Sequence, residues 1–314
     1  MAVPVIAAPS QKASPRRERA SGIWAALAAP GIVWLLLCFV FPLYVVLCIV
    51  FGQVDPIFRT PIPVWNPLQW NPSQFNYVLT HIVGADGIFG PALVRTAVFV
   101  FAASSLCLLI AFPVAYYLAF CVEKTKYTWL LIVITPFLTS YLLRIFAWKV
   151  VLGDQGLINS GLASLGVISK DHPLDFLIYS QFTVMVVLTY AWVPFICLPI
   201  FIALENMDRR LLEAATDLGA SRMKAFRKIT LPLAAPGVVA AFLFVFIPSI
   251  GEYITPSLVG GTRGYMFGQA VADHFVGGAF DWQGGSVLAL FLLLVVLFLT
   301  ATTSKFLRAG GGTA

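Results

Sequence analysis

Long apolar runs limit what this chain can fold into. An α-helix rises about 1.5 Å per residue, so roughly 20 apolar residues cross a hydrocarbon core about 30 Å thick. Backbone polar groups find no water in lipid, so runs of this length are expected to be helices. The sequence therefore predicts an all-α integral membrane protein with six spans, at about 24–51, 92–120, 128–151, 183–204, 233–256 and 286–303.

Composition excludes an ordinary water-soluble domain. Hydrophobic residues make up 60% of the 314 residues, charged residues 11%, and the mean hydropathy is +0.89. A soluble domain carries about 25% charged residues, so most of this surface is expected to face lipid. A transmembrane β-barrel would show alternating segments of about ten residues, and the sequence lacks that pattern.

The basic residues predict the orientation of the chain. Most of the 20 lysine and arginine residues lie in the tails 1–22 and 305–314 and in the loops 121–127 and 205–232. The positive-inside rule places these segments, including both termini, in the cytoplasm. The first tail is expected to be disordered, and residues 23–304 form the transmembrane domain. This topology explains the net charge of +6, so no nucleic-acid partner is expected.

Catalytic and metal-binding motifs are missing from the sequence. It has no HExxH, no GxSxG and no GxxxxGK[ST] phosphate loop, and its three histidines lie in separate predicted loops. The five cysteines lie in or beside spans without a CxxC pair, which is typical of small core side chains. We expect no enzyme, no metal site and no cofactor in this chain.

One charged stretch, EAATDLGASRMKAFRKITLP at 213–232, separates the fourth and fifth spans. Asp208 can cap a first short helix, Gly219 can end it in the left-handed conformation, and Ser221 can cap a second. Pro232 is expected to stop the second helix before the fifth span. The pattern predicts a helix–turn–helix elbow that could insert into a groove of another protein. The alternative is an amphipathic loop that touches anionic lipid.

This stretch resembles the EAA loop of bacterial ABC importer permeases, whose pattern is E-A-A-x3-G-x9-I-x-L-P. The resemblance extends to Arg95–Ala119, Pro136–Asn159 and Ile247–Gly261, which look like the second, third and fifth spans of the polyamine branch. It covers roughly residues 75–300. Within loop 205–232, called the coupling loop from here on, it implies these ATPase-coupling residues: Glu213, Ala214, Ala215, Leu218, Gly219, Ile229, Leu231 and Pro232.

The resemblance implies a transmembrane domain of the type I ABC importer kind in the bacterial inner membrane. Its partners would be a cytoplasmic ABC ATPase dimer that binds ATP and Mg, a second homologous permease chain, an extracytoplasmic solute-binding protein and membrane lipid. The expected cargo is a polyamine such as spermidine or putrescine, although similar permeases carry opines, aminophosphonates, thiamine or ferric iron. A stand-alone secondary transporter and a membrane scaffold or sensor are the alternatives from other functional classes.

Glu252 is the only carboxylate within a predicted span, which makes it a candidate for function. It follows Pro248 and Gly251, which can open the helix and free carbonyls for a cationic amine. Arg144 lies at a comparable depth, because Glu252 is about 28 Å and Arg144 about 24 Å along its span from the same side. An Arg144–Glu252 pair that fixes two helices is therefore the structural alternative, and the sequence leaves both roles open.

Other side chains could line a substrate pathway. Aromatic faces attract cations, and hydroxyl groups can bind amines, although aromatic residues in spans more often pack or anchor the helix. The remaining candidates are Tyr253, Tyr190, Trp192, Thr139 and Ser140.

Overall fold

The computed structural model describes residues 22–58, 60–83, 87, 89–169, 172–277 and 281–310. The predicted disordered tail lies, except for its last residue, outside the described residues. The described chain is almost entirely helical and forms two compact units that divide after Leu47. Its helices are α1 Gly22–Leu35, α2 Phe41–Val50, α3 Ser73–Val83, α4 Gly90–Phe120, α5 Lys126–Ile134, α6 Tyr141–Leu152, α7 Leu157–Ser164, α8 Gln181–Glu205, α9 Arg210–Asp217, α10 Arg222–Ala225, α11 Leu231–Ile250, α12 Phe267–Val276 and α13 Trp282–Gly310.

The described residues contain five helices long and apolar enough to cross a membrane, and a bent helix pair that could serve as a sixth span. This agrees with the predicted order of spans. The span boundaries differ at several places. The last helix, α13, is longer than the predicted 286–303 and continues through Lys305 to Gly310, where a cytosolic tail was expected.

The first unit contains a long apolar helix with one wide turn. α1 leads into the π-helical turn Leu36–Val40, and α2 follows directly. The first N–H of α2 bonds to the carbonyl of Leu36, five residues back. Pro42, the second residue of α2, has no N–H and its ring would crowd a regular turn, which a π turn relieves. The helix therefore passes the proline without ending.

A small outer segment follows the first span. Strands β1 Gln53–Val54 and β2 Pro61–Ile62 pair antiparallel, and the tip between them is an Asp55 turn. The Asp55 Oδ1 atom accepts hydrogen bonds at 2.8 and 2.9 Å from the N–H groups of Ile57 and Phe58. These bonds favour the charged form and lower the pKa of Asp55 from its ordinary value of 3.8, and the bond from Phe58 has the larger effect.

Three spans form the centre of the second unit. α4, α8 and α11 pack on one another through small buried residues of α4. A Cβ added at Gly237 in α11 would lie 2.4 Å from that of Ala203 in α8, so glycine permits this close approach. Close packing of small residues is how helices associate in lipid, where burial of apolar area gives no driving force. These small residues of α4 include Ala103, Cys107, Ala111, Ala115 and Ala119.

The third predicted span, 128–151, is not one helix. Segments Lys126–Leu138 and Tyr141–Ser164 meet at an angle of 84°. Thr139 and Ser140 have extended backbones at the break, and Pro136 lies in the 3₁₀ turn before it. Average hydropathy does not register such a break, because its residues are few and the flanking residues remain apolar.

The fifth predicted span, 233–256, also needs correction. α11 ends at Ile250, and Gly251 follows it with a non-helical backbone. Pro248 and Gly251 thus lie at the helix end, as the sequence suggested for an opened helix. The chain then makes a π turn at Pro256–Gly260 before α12. Glu252 consequently lies just beyond the helix and not inside it.

Candidate functional site: the coupling loop and the helix breaks

The first arm of the coupling loop is α9, and a glycine turn ends it. At its start, the N-cap position is Arg209 and not the predicted Asp208, but Asp208 Oδ1 accepts the N–H of Arg210 at 3.0 Å from the preceding residue. At its end, Gly219 has a φ of +79°. The N–H groups of Gly219 and Ala220 donate, each at 2.9 Å, to the carbonyls of Thr216 and Ala215. This is the Schellman arrangement, in which the residue with positive φ is usually glycine.

The second arm starts as predicted but does not end as predicted. The Ser221 hydroxyl accepts the N–H of Lys224 at 3.3 Å and caps α10. The helix then continues through the π turn Phe226–Thr230 into α11, so Arg222–Ile250 is one span of 29 residues. Pro232 therefore does not stop the second helix, which corrects the sequence prediction.

The π turn explains how the proline is accommodated. The N–H of Leu231 bonds to the carbonyl of Phe226, five residues back, directly before Pro232. This wider turn makes room for a residue that cannot donate a hydrogen bond and whose ring crowds the preceding turn. A helix of 29 residues is about 43 Å long, against about 30 Å of hydrocarbon. The second arm is thus the end of the fifth span itself, in a helix that is longer than the hydrocarbon is thick.

The tip of the coupling loop is exposed and carries two large apolar side chains. Leu218 beside the glycine turn is 89% exposed, and Met223 in the second arm is 66% exposed. The carboxylate of Glu213 faces solvent and makes no hydrogen bond or ion pair with the described residues. Of the other predicted coupling residues, Ala215 and Ile229 are half-buried, whereas Ala214, Leu231 and Pro232 are exposed.

The second arm leans on the second span through aromatic rings. Phe226 contacts Phe112 and Tyr116 of α4, with ring centroids 6.0 and 5.6 Å apart and nearly perpendicular planes. Such edge-to-face pairs contribute about 0.5–1.5 kcal/mol beyond their buried area. The arm is therefore held by packing, while its tip is free.

Glu252 is enclosed by donors of its own chain. Its Oε1 accepts the N–H groups of Ile254 and Thr255 at 2.9 and 3.2 Å, and its Oε2 accepts the hydroxyl of Tyr141 at 2.8 Å. The Tyr141 hydroxyl also lies 2.8 Å from the Thr255 hydroxyl. The carboxylate thus caps the turn after α11 and ties it to the start of α6. Tyr141, which the sequence interpretation missed, connects the breaks of the third and fifth spans.

Arg144 does not form the predicted ion pair with Glu252. Its guanidinium lies 5.6 Å from the ring centre of Phe137 and 5.5 Å from that of Tyr141. It is 7% exposed, and its Nε and Nη1 atoms have no hydrogen-bond partner within the described part of the chain. Tyr141 therefore connects Arg144 and Glu252. Its ring contacts the guanidinium of Arg144, and its hydroxyl donates to the carboxylate of Glu252.

The remaining pathway candidates do not share one cavity. Tyr190 contacts Trp148 edge-to-face at 5.3 Å and lines a groove of about 760 Å³ between α4, α5 and α8. Trp192 instead packs into the core clusters with its ring beside Phe195, 5.1 Å away. Thr139 and Ser140 are exposed at the break, and the Thr139 hydroxyl bonds to the carbonyl of Pro136. Tyr253 is 48% exposed next to Glu252.

Comparison with protein families gives a match over most of the chain. Residues 97–305 match the family described as "Binding-protein-dependent transport system inner membrane component". The chain is 34% identical over 211 residues to the spermidine/putrescine transport system permease protein PotB of Salmonella typhimurium, covering 67% of this chain and 72% of the relative. It is 32% identical over 241 residues to the inner membrane ABC transporter permease protein YdcU of Escherichia coli, covering 71% and 74%.

A solved structure supports the fold. A chain in the crystal structure of a bacterial ABC transporter that imports the acidic polysaccharide alginate superposes with a TM-score of 0.64. The superposition covers 92% of this chain and 96% of the other at 16% sequence identity. It confirms the predicted resemblance to importer transmembrane domains at the level of fold.

Proposed function

Because this chain belongs to the family of binding-protein-dependent transport system inner membrane components, we propose that it is the permease subunit of an ABC importer for a polyamine. Family membership makes it a multi-pass protein of the bacterial inner membrane, a transport subunit and not a catalytic enzyme. The similarity to a spermidine/putrescine permease supports a cationic amine such as spermidine or putrescine as cargo.

The coupling loop carries the proposal. Its tip exposes the apolar side chains of Leu218 and Met223, which could insert into an apolar cleft of another protein. The free carboxylate of Glu213 is available to a basic residue or to backbone donors of that protein. The proposed partner is a cytoplasmic ABC ATPase dimer, which would bind ATP and Mg. A second homologous permease chain and an extracytoplasmic solute-binding protein would complete the importer.

Continuity of the helix supplies the mechanical link. ATP binding would close the ATPase pair and move the inserted coupling loop. Because Arg222–Ile250 is one helix, movement of the second arm moves the fifth span with it. The ATP-bound pair must favour one conformation by differential affinity, and hydrolysis would then restore the other. The cargo would thereby meet a pathway that opens first outward and then inward.

For the pathway we propose those candidates whose side chains are exposed or half-buried, although they do not line one cavity in this conformation. Tyr190 and Tyr253 present ring faces that could attract an amine, and Thr139 and Ser140 present hydroxyls. Both oxygens of Glu252 are occupied by internal donors, which favours its structural role in this conformation. Trp192 packs in the core and supports the helices rather than the cargo.

Reconstitution tests the proposed function. The chain is purified with candidate ATPase, second permease and solute-binding subunits from the same organism, and uptake of labelled spermidine and putrescine into proteoliposomes is measured. We expect uptake only with ATP and all subunits. Uptake without the ATPase would make the chain a stand-alone transporter, and ATP-driven uptake of another solute alone would refute the polyamine assignment.

Surface variants test the coupling loop directly. Leu218→Asp should abolish co-purification of the ATPase subunit, because a charge replaces the exposed apolar tip. Leu68→Asp is the matched control, since Leu68 is 93% exposed in the outer segment. Equal ATPase binding by the two variants would contradict the proposed docking surface.

A further inference from the structure

Two polar contacts hold the start of the coupling loop against spans that are distant in sequence. Lys126, the first residue of α5, donates a hydrogen bond to Glu205 Oε1 at the end of α8. The Arg209 guanidinium donates to the carbonyl of Ala119, 2.7 Å away in the last turn of α4, and lies over the ring of Phe120. The residues Lys126, Glu205, Arg209 and Ala119 are called the junction.

Lys126 and Glu205 each carry the charge that their own helix disfavours. A helix has a partial positive charge at its N-terminus, where Lys126 lies, and a partial negative charge at its C-terminus, where Glu205 lies. Each such arrangement is unfavourable for its own helix. The helix dipoles therefore disfavour both residues, whereas their contact across 79 residues of sequence favours them.

The pair is partly withdrawn from water. The side chains of Lys126 and Glu205 are 15% and 26% exposed, so solvent screens their attraction less than that of a surface pair. The second carboxylate oxygen, Glu205 Oε2, is buried and has no hydrogen-bond partner among the described residues. Lys126 is thus the charged partner on which this carboxylate depends, and its removal leaves a poorly solvated negative charge.

Arg209 fixes the same point by a different interaction. The last carbonyls of a helix lack partners within the helix, and a cation there complements the helix dipole. Arg209 provides both the donor and the charge for α4. The start of the coupling loop is therefore bound to α4 and α5, its end continues into α11, and its tip is exposed.

We propose that Lys126, Glu205 and Arg209 are positioning residues that form the fulcrum of the coupling loop. They hold its first end fixed, so that movement of the tip turns the fifth span and does not drag the whole loop along the membrane surface. This inference rests on the proposed function. It predicts that a broken junction leaves the importer assembled and hydrolysing ATP but transporting less cargo per ATP.

Charge exchange provides the test. In the reconstituted importer, Lys126→Glu and Glu205→Lys should each lower the uptake per ATP hydrolysed by about tenfold. This value lies between the small effect of breaking an exposed ion pair and the large effect of breaking a fully buried one. The double exchange should restore the ratio, since each charge then also suits its helix end. Lys124→Glu is the matched control, an exposed lysine two residues away, and should keep the wild-type ratio.

Two outcomes would overturn the fulcrum. One is a Lys126→Glu variant as well coupled as Lys124→Glu. The other is a double exchange that assembles normally but stays uncoupled. If the importers with a single charge reversal fail to assemble, Glu205→Gln provides the test, because glutamine keeps the side-chain shape and one acceptor oxygen. A wild-type ratio of uptake to ATP hydrolysis in that variant refutes the proposal. Failure of the unmodified importer to take up polyamine would instead contradict the proposed function.

Discussion

Replacing Glu252 by glutamine and by alanine should separate a structural carboxylate from a cargo ligand. Alanine removes the acceptor of three donors, the N–H groups of Ile254 and Thr255 and the hydroxyl of Tyr141. Bonds to a charged acceptor contribute about 1.5–3 kcal/mol each when buried. Because Glu252 is half-buried and water can reach part of the site, we expect a total loss of about 3 kcal/mol.

Glutamine keeps the geometry and removes the charge. Its amide oxygen can accept the two backbone N–H groups, and its amide nitrogen can donate to the tyrosine hydroxyl. The expected loss is about 1 kcal/mol, the usual contribution of a neutral hydrogen bond. Tyr141→Phe removes the hydrogen bonds of the hydroxyl to Glu252 and to Thr255 and should cost about 2 kcal/mol.

Thermal unfolding in lipid nanodiscs and the KM for uptake are the two measurements. A structural Glu252 predicts that glutamine lowers the unfolding temperature much less than alanine does, with KM within about twofold of wild type. A cargo ligand predicts the reverse: unchanged unfolding with KM raised at least about tenfold, the ratio for 1.4 kcal/mol. The second result would refute the structural reading of the hydrogen bonds around Glu252.

Three further perturbations follow from local geometry. Gly219→Ala should lower the free energy of unfolding by about 1–2 kcal/mol, because alanine is strained at a φ of +79°. No atom lies within 4 Å of the added Cβ, so no steric clash adds to this cost. Gly219→Asn should cost less, because asparagine adopts the left-handed conformation more readily. Leu218→Ala should change unfolding by less than about 0.5 kcal/mol but weaken ATPase-subunit binding in titrations. The carboxylate of Asp55 stabilises the turn between β1 and β2 above pH 3.8, and this stabilisation is lost as the pH falls through the lowered pKa of Asp55. The amide NMR shifts of Ile57 and Phe58 should therefore change with pH in the wild-type protein, and Asp55→Asn should abolish that change.

Local features of the coupling loop could be predicted because they depend on neighbours in the chain. Gly219 and Ser221 act on backbone groups within five residues, so their roles follow from residue type and spacing. The same holds for the number and order of the spans, because each apolar run must satisfy its own backbone in lipid. The sequence therefore contains this information without reference to the rest of the fold.

Contacts between spans could not be predicted in the same way. Whether Arg144 reaches Glu252 depends on how α6 rotates and where the third span bends, and Tyr141 occupies the intervening space. Lys126 and Glu205 did leave a signal, since each is a charge at the unfavourable end of its helix. That signal identifies residues that need a partner, but only the packed helices identify the partner.

Pro232 shows why a rule derived for soluble helices gave the wrong boundary. In water, a helix that loses a hydrogen bond at proline can end, because solvent satisfies the freed carbonyl. At a membrane surface the chain must enter lipid within a few residues, and ending the helix would expose further backbone groups that lipid cannot satisfy. A π turn before the proline keeps the helix intact, as it does before Pro42. The second arm and the fifth span therefore stay continuous past the proline, and this continuity lets one segment move the other.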